Sequence, residues 1–139
     1  MKRLIGLLLT VVGLFIFTGC PAKDPVASAT VERTETMVVI TITEEEGSPT
    51  LLQVMEFLRE EGKLSFTADA SGMVTSIEGK RNAADWSLCW MLYTSDEVNT
   101  NTQWGTIEYN GTTYGSSVLG ADALCVEVGD VYVWSYQTF

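Results

Sequence analysis

Only one stretch of this chain carries helical periodicity, and that fact limits the fold more than any other. Thr50 and Gln53 have the spacing of a capping box, in which each side chain satisfies the other's backbone N–H at a helix start. Leu51, Val54, Met55 and Leu58 then fall on one face, and Gly62 supplies a stop. The Met and Phe of this helix read as core, not as a binding face. After Gly62 the apolar period shifts to two. Strands are expected at Leu64–Ala68, Met73–Glu78, Ser87–Thr94, Thr106–Tyr109, Thr112–Tyr114, Leu124–Val128 and Tyr132–Tyr136. Before the helix, Thr36–Thr43 is rich in β-branched residues, with Val38, Ile40 and Ile42 on one side, and Glu44-Glu45-Glu46-Gly47-Ser48 reads as a charged turn. One helix among several short strands implies an α+β domain, a mostly antiparallel β-sheet packed on that helix.

The chain has 139 residues, room for one domain. Its start, MKRLIGLLLTVVGLFIFTGCPAKDPV, has two cations and then an uncharged run from Leu4 to Gly19. That run is short of the ~20 residues that a membrane-spanning helix needs, and fits a secretory signal. Phe17-Thr18-Gly19-Cys20 resembles the lipobox of bacterial lipoproteins, with Phe17 in place of the usual Leu. The resemblance implies a signal peptide over residues 1–19, lipidation of Cys20 and cleavage before it. The mature chain would then be anchored at the extracellular face of the bacterial cell membrane, since two or more acyl chains hold a protein stably in a bilayer. Two alternatives stay open, an ordinary cleavage after Ala27-Ser28-Ala29 and an uncut anchor. Residues 20–36 read as a flexible tether and 37–139 as the folded domain.

Acidic residues outnumber basic ones by 18 to 8, for a net charge of −10. Two of the cations, Lys2 and Arg3, lie in the targeting segment, so the exported part is more acidic still. Such a surface repels nucleic acid, which is bound through Lys and Arg on its phosphates. There is no His, which excludes Ser–His and Cys–His nucleophile pairs and HExxH metal sites. The acidic clusters lack the spaced oxygen ligands of an EF-hand loop. No catalytic residue, metal site or bound cofactor is expected, and the chain reads as a non-enzyme. Lipidation of Cys20 leaves Cys89 and Cys125, which either form a disulfide or stay as two separate thiols.

Gln103-Trp104-Gly105-Thr106-Ile107-Glu108-Tyr109-Asn110-Gly111-Thr112-Thr113-Tyr114-Gly115 is the most distinctive segment. Asn110-Gly111 predicts a two-residue hairpin turn of type I′, which needs positive φ at both positions. Tyr109 and Tyr114 then either pair across the strands or offer apolar surface. The preceding Asn99–Gly105 reads as a polar loop carrying a large aromatic, a composition that suits recognition. Trp86, Trp104, Tyr109 and Tyr114 are therefore the candidate ligand-binding residues.

Val74-Thr75-Ser76-Ile77-Glu78-Gly79, Trp86 followed by Trp90-Met91-Leu92-Tyr93, Gly120-Ala121-Asp122-Ala123-Leu124 and Val128-Gly129-Asp130-Val131-Tyr132-Val133-Trp134-Ser135-Tyr136 stand in an order that resembles the transcobalamin-like carboxy-terminal domain. The resemblance covers roughly Met37 to Tyr136. It implies a β-grasp-like sheet around one helix and a role in binding cobalamin or another corrinoid. In the animal carriers of this family a separate helical barrel holds the other side of cobalamin, and this chain is too short to contain one. A corrinoid site here would need a partner to complete it. The segment after Tyr93 departs most from the family pattern, with Thr94-Ser95-Asp96-Glu97 and then the insertion ending at Gly115. The second functional expectation is an adhesion or interaction module contacting protein or glycan at the cell surface.

Overall fold

The computed structural model describes residues 24–139. The signal segment and Cys20 lie outside the described residues. In chain order the elements are β1 (Val26–Arg33), β2 (Met37–Glu46), α1 (Leu51–Glu60), β3 (Phe66–Ala68), β4 (Val74–Ile77), β5 (Lys80–Arg81), β6 (Leu88–Thr94), β7 (Thr100–Tyr109), β8 (Thr112–Ser117) and β9 (Val131–Thr138). A turn of 3₁₀ helix at Glu97–Asn99 leads into β7. The main sheet has the order β1-β2-β9-β6-β8-β7, and β3-β4-β5 form a small second sheet. Every ladder between these strands is antiparallel. The α+β architecture expected from the sequence is therefore the one observed.

The helix starts where the capping box puts it. The Thr50 hydroxyl accepts from Gln53 N–H at 3.2 Å, and the Gln53 side-chain oxygen accepts from Thr50 N–H at 2.9 Å. Leu51, Val54, Met55 and Leu58 are buried against Val38, Ile40, Ile42, Leu92 and Trp134 of the sheet. Gly62, at φ +73°, ends the element and donates to Arg59 O at 3.0 Å, as a left-handed terminator does.

Three expectations need correction. Residues 20–36 are not a tether throughout, because Val26–Arg33 form β1, paired with β2 from Val26↔Glu46 to Arg33↔Val38. Alternate residues Ala27, Ala29 and Val31 pack on the core, which gives this strand its reason to form. Ala27-Ser28-Ala29 is thus strand interior. Glu44–Glu46 belong to β2, and the turn is confined to Gly47 and Ser48, both at positive φ. Leu124–Val128 form only a single bridge, Thr50↔Cys125. The start of α1 occupies that edge, with Leu51 N–H on Leu124 O at 2.8 Å and Val126 N–H on Pro49 O at 2.9 Å.

The main sheet has a second buried face. Val39, Tyr93, Tyr114 and Val133 are packed together there, with Met37, Met91, Ile107 and Tyr109 around them. β8 pairs with β6 only at Tyr93 and Thr94, and the sheet curls until its two outermost strands meet through the Tyr109 hydroxyl and the Glu32 carboxylate. A sheet curled this far buries its own concave side without a second helix.

Candidate functional site

The four aromatic candidates divide into two pairs. Tyr114 is buried in the second core. Tyr109 packs against the same cluster and spends its hydroxyl on Glu32. Tyr114 therefore serves packing, and Tyr109, half-buried, commits its ring edge and hydroxyl to holding the fold. Asn110 and Gly111 have φ +47° and +77°, the type I′ turn expected, which closes Tyr109 against Thr112.

Trp86 and Trp104 are instead exposed, at 53% and 64%. Trp104 owes its position to a large bulge. Asn101 pairs with Ser116 and Thr106 with Gly115, so residues 102–105 have no partner across the ladder. Gly105 permits the return at φ +137°. Gly115 lies under the bulge, where an added Cβ would meet Thr100 Cβ at 3.0 Å and Thr102 Cγ2 at 3.2 Å. The Asn101 side chain accepts from Gln103 N–H at 3.0 Å and stiffens the start of the excursion. The segment expected to be a polar loop is in this way mostly the bulged part of a strand.

Trp86 sits in the turn before β6 with φ +62°. This left-handed conformation is rare for a bulky side chain and costs of order 1–3 kcal/mol. The turn is held on all sides. Trp86 N–H donates to Ala83 O at 3.0 Å, Ala83 N–H to Leu88 O at 2.7 Å, and Phe139 N–H to Ser87 O at 2.9 Å. The Asp85 carboxylate accepts from the Ser87 hydroxyl at 2.6 Å and from Ser87 N–H at 3.1 Å. Those bonds, the hydroxyl first, hold its carboxyl below the usual range. The indole is thereby presented on a rigid, strained support.

The two indoles leave the sheet at different levels: the Trp104 bulge stands at the level of Tyr93 and Thr94, and Trp86 precedes the Leu88 end of β6. Gly105 stands over Tyr93, whose hydroxyl an added Cβ would approach to 3.8 Å. That hydroxyl lies 3.0 Å from the Gln137 amide, and Gln137 pairs with Cys89 at the start of β6, just after Trp86. The chain enters the sheet at the opposite end, where Val26 pairs with Glu46. Thr102 and Gln103 are exposed beside Trp104, so apolar area and hydrogen-bonding groups lie together. This arrangement can hold a flat or amphipathic surface by contact. It offers no nucleophile–base pair.

The remaining candidates are separate. Cys89 and Cys125 are both free thiols, one buried and one exposed. Cys89 opens β6, whereas Cys125 lines a cleft with Asp96, Asn99 and Asp130 beyond the other end of that strand. Seven residues of extended chain separate the two levels, roughly 23 Å, far beyond the ~7 Å that a disulfide allows between Cα atoms. The bridge is therefore not formed. Burial also pushes the Cys89 thiol up, away from a reactive thiolate. Among the described residues no group of three or more His, Cys, Asp or Glu is placed to hold a metal ion. No helix among them is long and apolar enough to cross a membrane. Comparison with protein families, curated proteins and solved structures finds no match to this chain.

Proposed function

We propose that the chain is a lipid-tethered, non-catalytic binding domain at the outer face of the bacterial cell membrane, which engages its ligand through Trp86 and Trp104. The observation that carries this reading is the left-handed backbone of Trp86, fixed by its neighbours while about half of the residue stays exposed. Strain held at a half-exposed aromatic supports a contact role, since a ring placed only for packing would be buried further. The anchor rests on the lipobox-like Phe17–Cys20. From Cys20 to Val26 the chain reaches at most about 20 Å, so the end of the sheet at Val26 and Glu44–Glu46 faces the bilayer and the Leu88 end, preceded by Trp86, faces outward.

The ligand implied by the resemblance is a corrinoid, with a partner covering its other side. Titration of the full chain with cobalamin tests this by the corrin absorbance and by quenching of indole fluorescence. Saturable changes, lost in Trp86→Gly and Trp104→Ala, support it. Unchanged spectra at cobalamin concentrations of order 100 μM, a Kd too weak for capture, reject a corrinoid site in the isolated protein. The exposed Thr102 and Gln103 beside Trp104 favour a second reading, contact with a glycan or surface protein, because a ring edged by hydrogen-bonding groups also suits a sugar. A glycan array with Trp104→Ala as the control decides it.

A further inference from the structure

A second recess, of about 310 Å³, opens on the helix-bearing face of the sheet, away from Trp104. Its walls are Trp90 and Leu92 of β6, the turn Ser71–Gly72, and Ala121–Asp122; Trp134 of β9 lies against it. Because β8 leaves β6 after Tyr93, the Trp90–Leu92 stretch has no strand on that side among the described residues.

The two indoles here differ in one respect. Trp90 Nε1–H donates to Lys80 O at 2.8 Å. Trp134 Nε1–H is buried and has no acceptor among the described residues, in a residue only 6% exposed. Buried donors in native proteins are almost always paired, so this orphan calls for a partner beyond the described residues. Asp122 supplies the complementary acceptor, exposed at the rim. Its position is fixed by close approach on two sides. A Cβ on Gly72 would meet Asp122 Cβ at 2.8 Å, and one on Gly120 would meet Asp122 Oδ1 at 2.8 Å. The loop bearing it is tied to the start of α1, where Leu52 N–H donates to Ala121 O at 2.9 Å.

We infer that this recess binds a small neutral ligand that presents a hydrogen-bond acceptor to Trp134 Nε1–H and a donor to the Asp122 carboxylate. A simple carboxylate has no donor for Asp122, and any anion is repelled by it. A simple ammonium has no acceptor for the indole. A hydroxyl pair or a primary carboxamide satisfies both at once. The volume is at the lower end for ligand pockets, which fits one sugar ring or one amide-bearing arm and excludes a larger body. This site is independent of the Trp86 and Trp104 contact, and each can fail without the other.

The test is ¹⁵N–¹H spectroscopy of the full chain, following the Trp134 indole cross-peak, assigned through its contacts to Val38 and Leu92. Glucose and acetamide are the neutral probes, acetate and methylammonium the charged ones. The expected result is a saturable shift of this cross-peak with a neutral probe, at least about tenfold tighter than with either charged one, a difference of about 1.4 kcal/mol. Asp122→Ala, a change at an exposed position, is expected to weaken that binding at least about fivefold while the spectrum stays folded. The tighter of glucose and acetamide names the source as hydroxyl or carboxamide. A cross-peak that moves with no probe, moves equally with acetate, or shows a long-lived bound water as its partner in the free protein overturns the inference.

Discussion

Tyr109 on β7 hydrogen-bonds Glu32 on β1, joining the two strands that stand furthest apart in the order of the main sheet. This contact closes the curl over Val39 and Val133. Tyr109→Phe keeps the ring in the second core and removes only the closure. The expected loss is about 0.5–1.5 kcal/mol at neutral pH, the net worth of one hydrogen bond, read from urea unfolding. The bond to Glu32, then burial and the Glu32 charge, raise the Tyr109 hydroxyl above its usual acidity range. A raised folded-state value means that the contribution is complete below the unfolded value of about 10 and is lost as pH rises above it. The gap in stability between wild type and Tyr109→Phe should therefore shrink between pH 8 and pH 11. A gap that widens over that interval contradicts the assignment.

The helix is the second point of leverage, because its start also anchors the Ala121–Leu124 segment. Thr50→Ala removes the oxygen that accepts from Gln53 N–H and should cost about 1 kcal/mol. Met55→Ala empties a site that is 0% exposed and should cost about 2–5 kcal/mol. Thermal unfolding of the two variants ranks them. Equal effects would mean that the helix packs far more loosely than the burial of Leu51, Val54 and Met55 indicates.

What the sequence made legible were features in which local chemistry and burial agree. Thr50 with Gln53, the Leu51–Leu58 stripe, Val38-Val39-Ile40-Thr41-Ile42 and Asn110-Gly111 each specify their structure within a few residues. β1 was less visible because its inward positions include Ala27 and Ala29, whose small side chains give a faint alternation beside an apolar leader. Leu124 and Val126 alternate as a strand would and are buried at 0% and 2%. Their edge is occupied by Pro49 and the start of α1, a tertiary event that no local pattern carries. At the candidate site, Trp86 and Trp104 were readable as large aromatics in polar segments. Their separation from Tyr109 and Tyr114 depends on the curl of the whole sheet. The orphaned Trp134 Nε1–H had no sequence signal, since Trp90 and Trp134 look alike until their hydrogen bonds are compared.

Trp86 should show opposite responses in stability and binding. At φ +62° the position favours glycine, and half the ring is already in water. Trp86→Gly is expected to leave the unfolding temperature unchanged or higher, since relief of about 1 kcal/mol of backbone strain offsets the packing lost. Binding by the outward face should fall in the same variant. A large drop in the unfolding temperature would show that the ring is a structural wedge and would remove the reason for treating it as a contact residue.

The two thiols allow a chemical check of the strand arrangement. Cys125 is exposed and Cys89 is buried, with its acidity shifted upward by desolvation. A thiol reacts as the thiolate, so both access and acidity work against Cys89. Brief treatment of the native chain with iodoacetamide near pH 8, followed by peptide mass mapping, should label Cys125 and spare Cys89. Both should be labelled after denaturation without any reductant, because no disulfide joins them. Labelling of neither until a reductant is added would demand a bridge across roughly 23 Å, and the placement of Cys89 at the start of β6 and Cys125 beyond its far end would then be wrong.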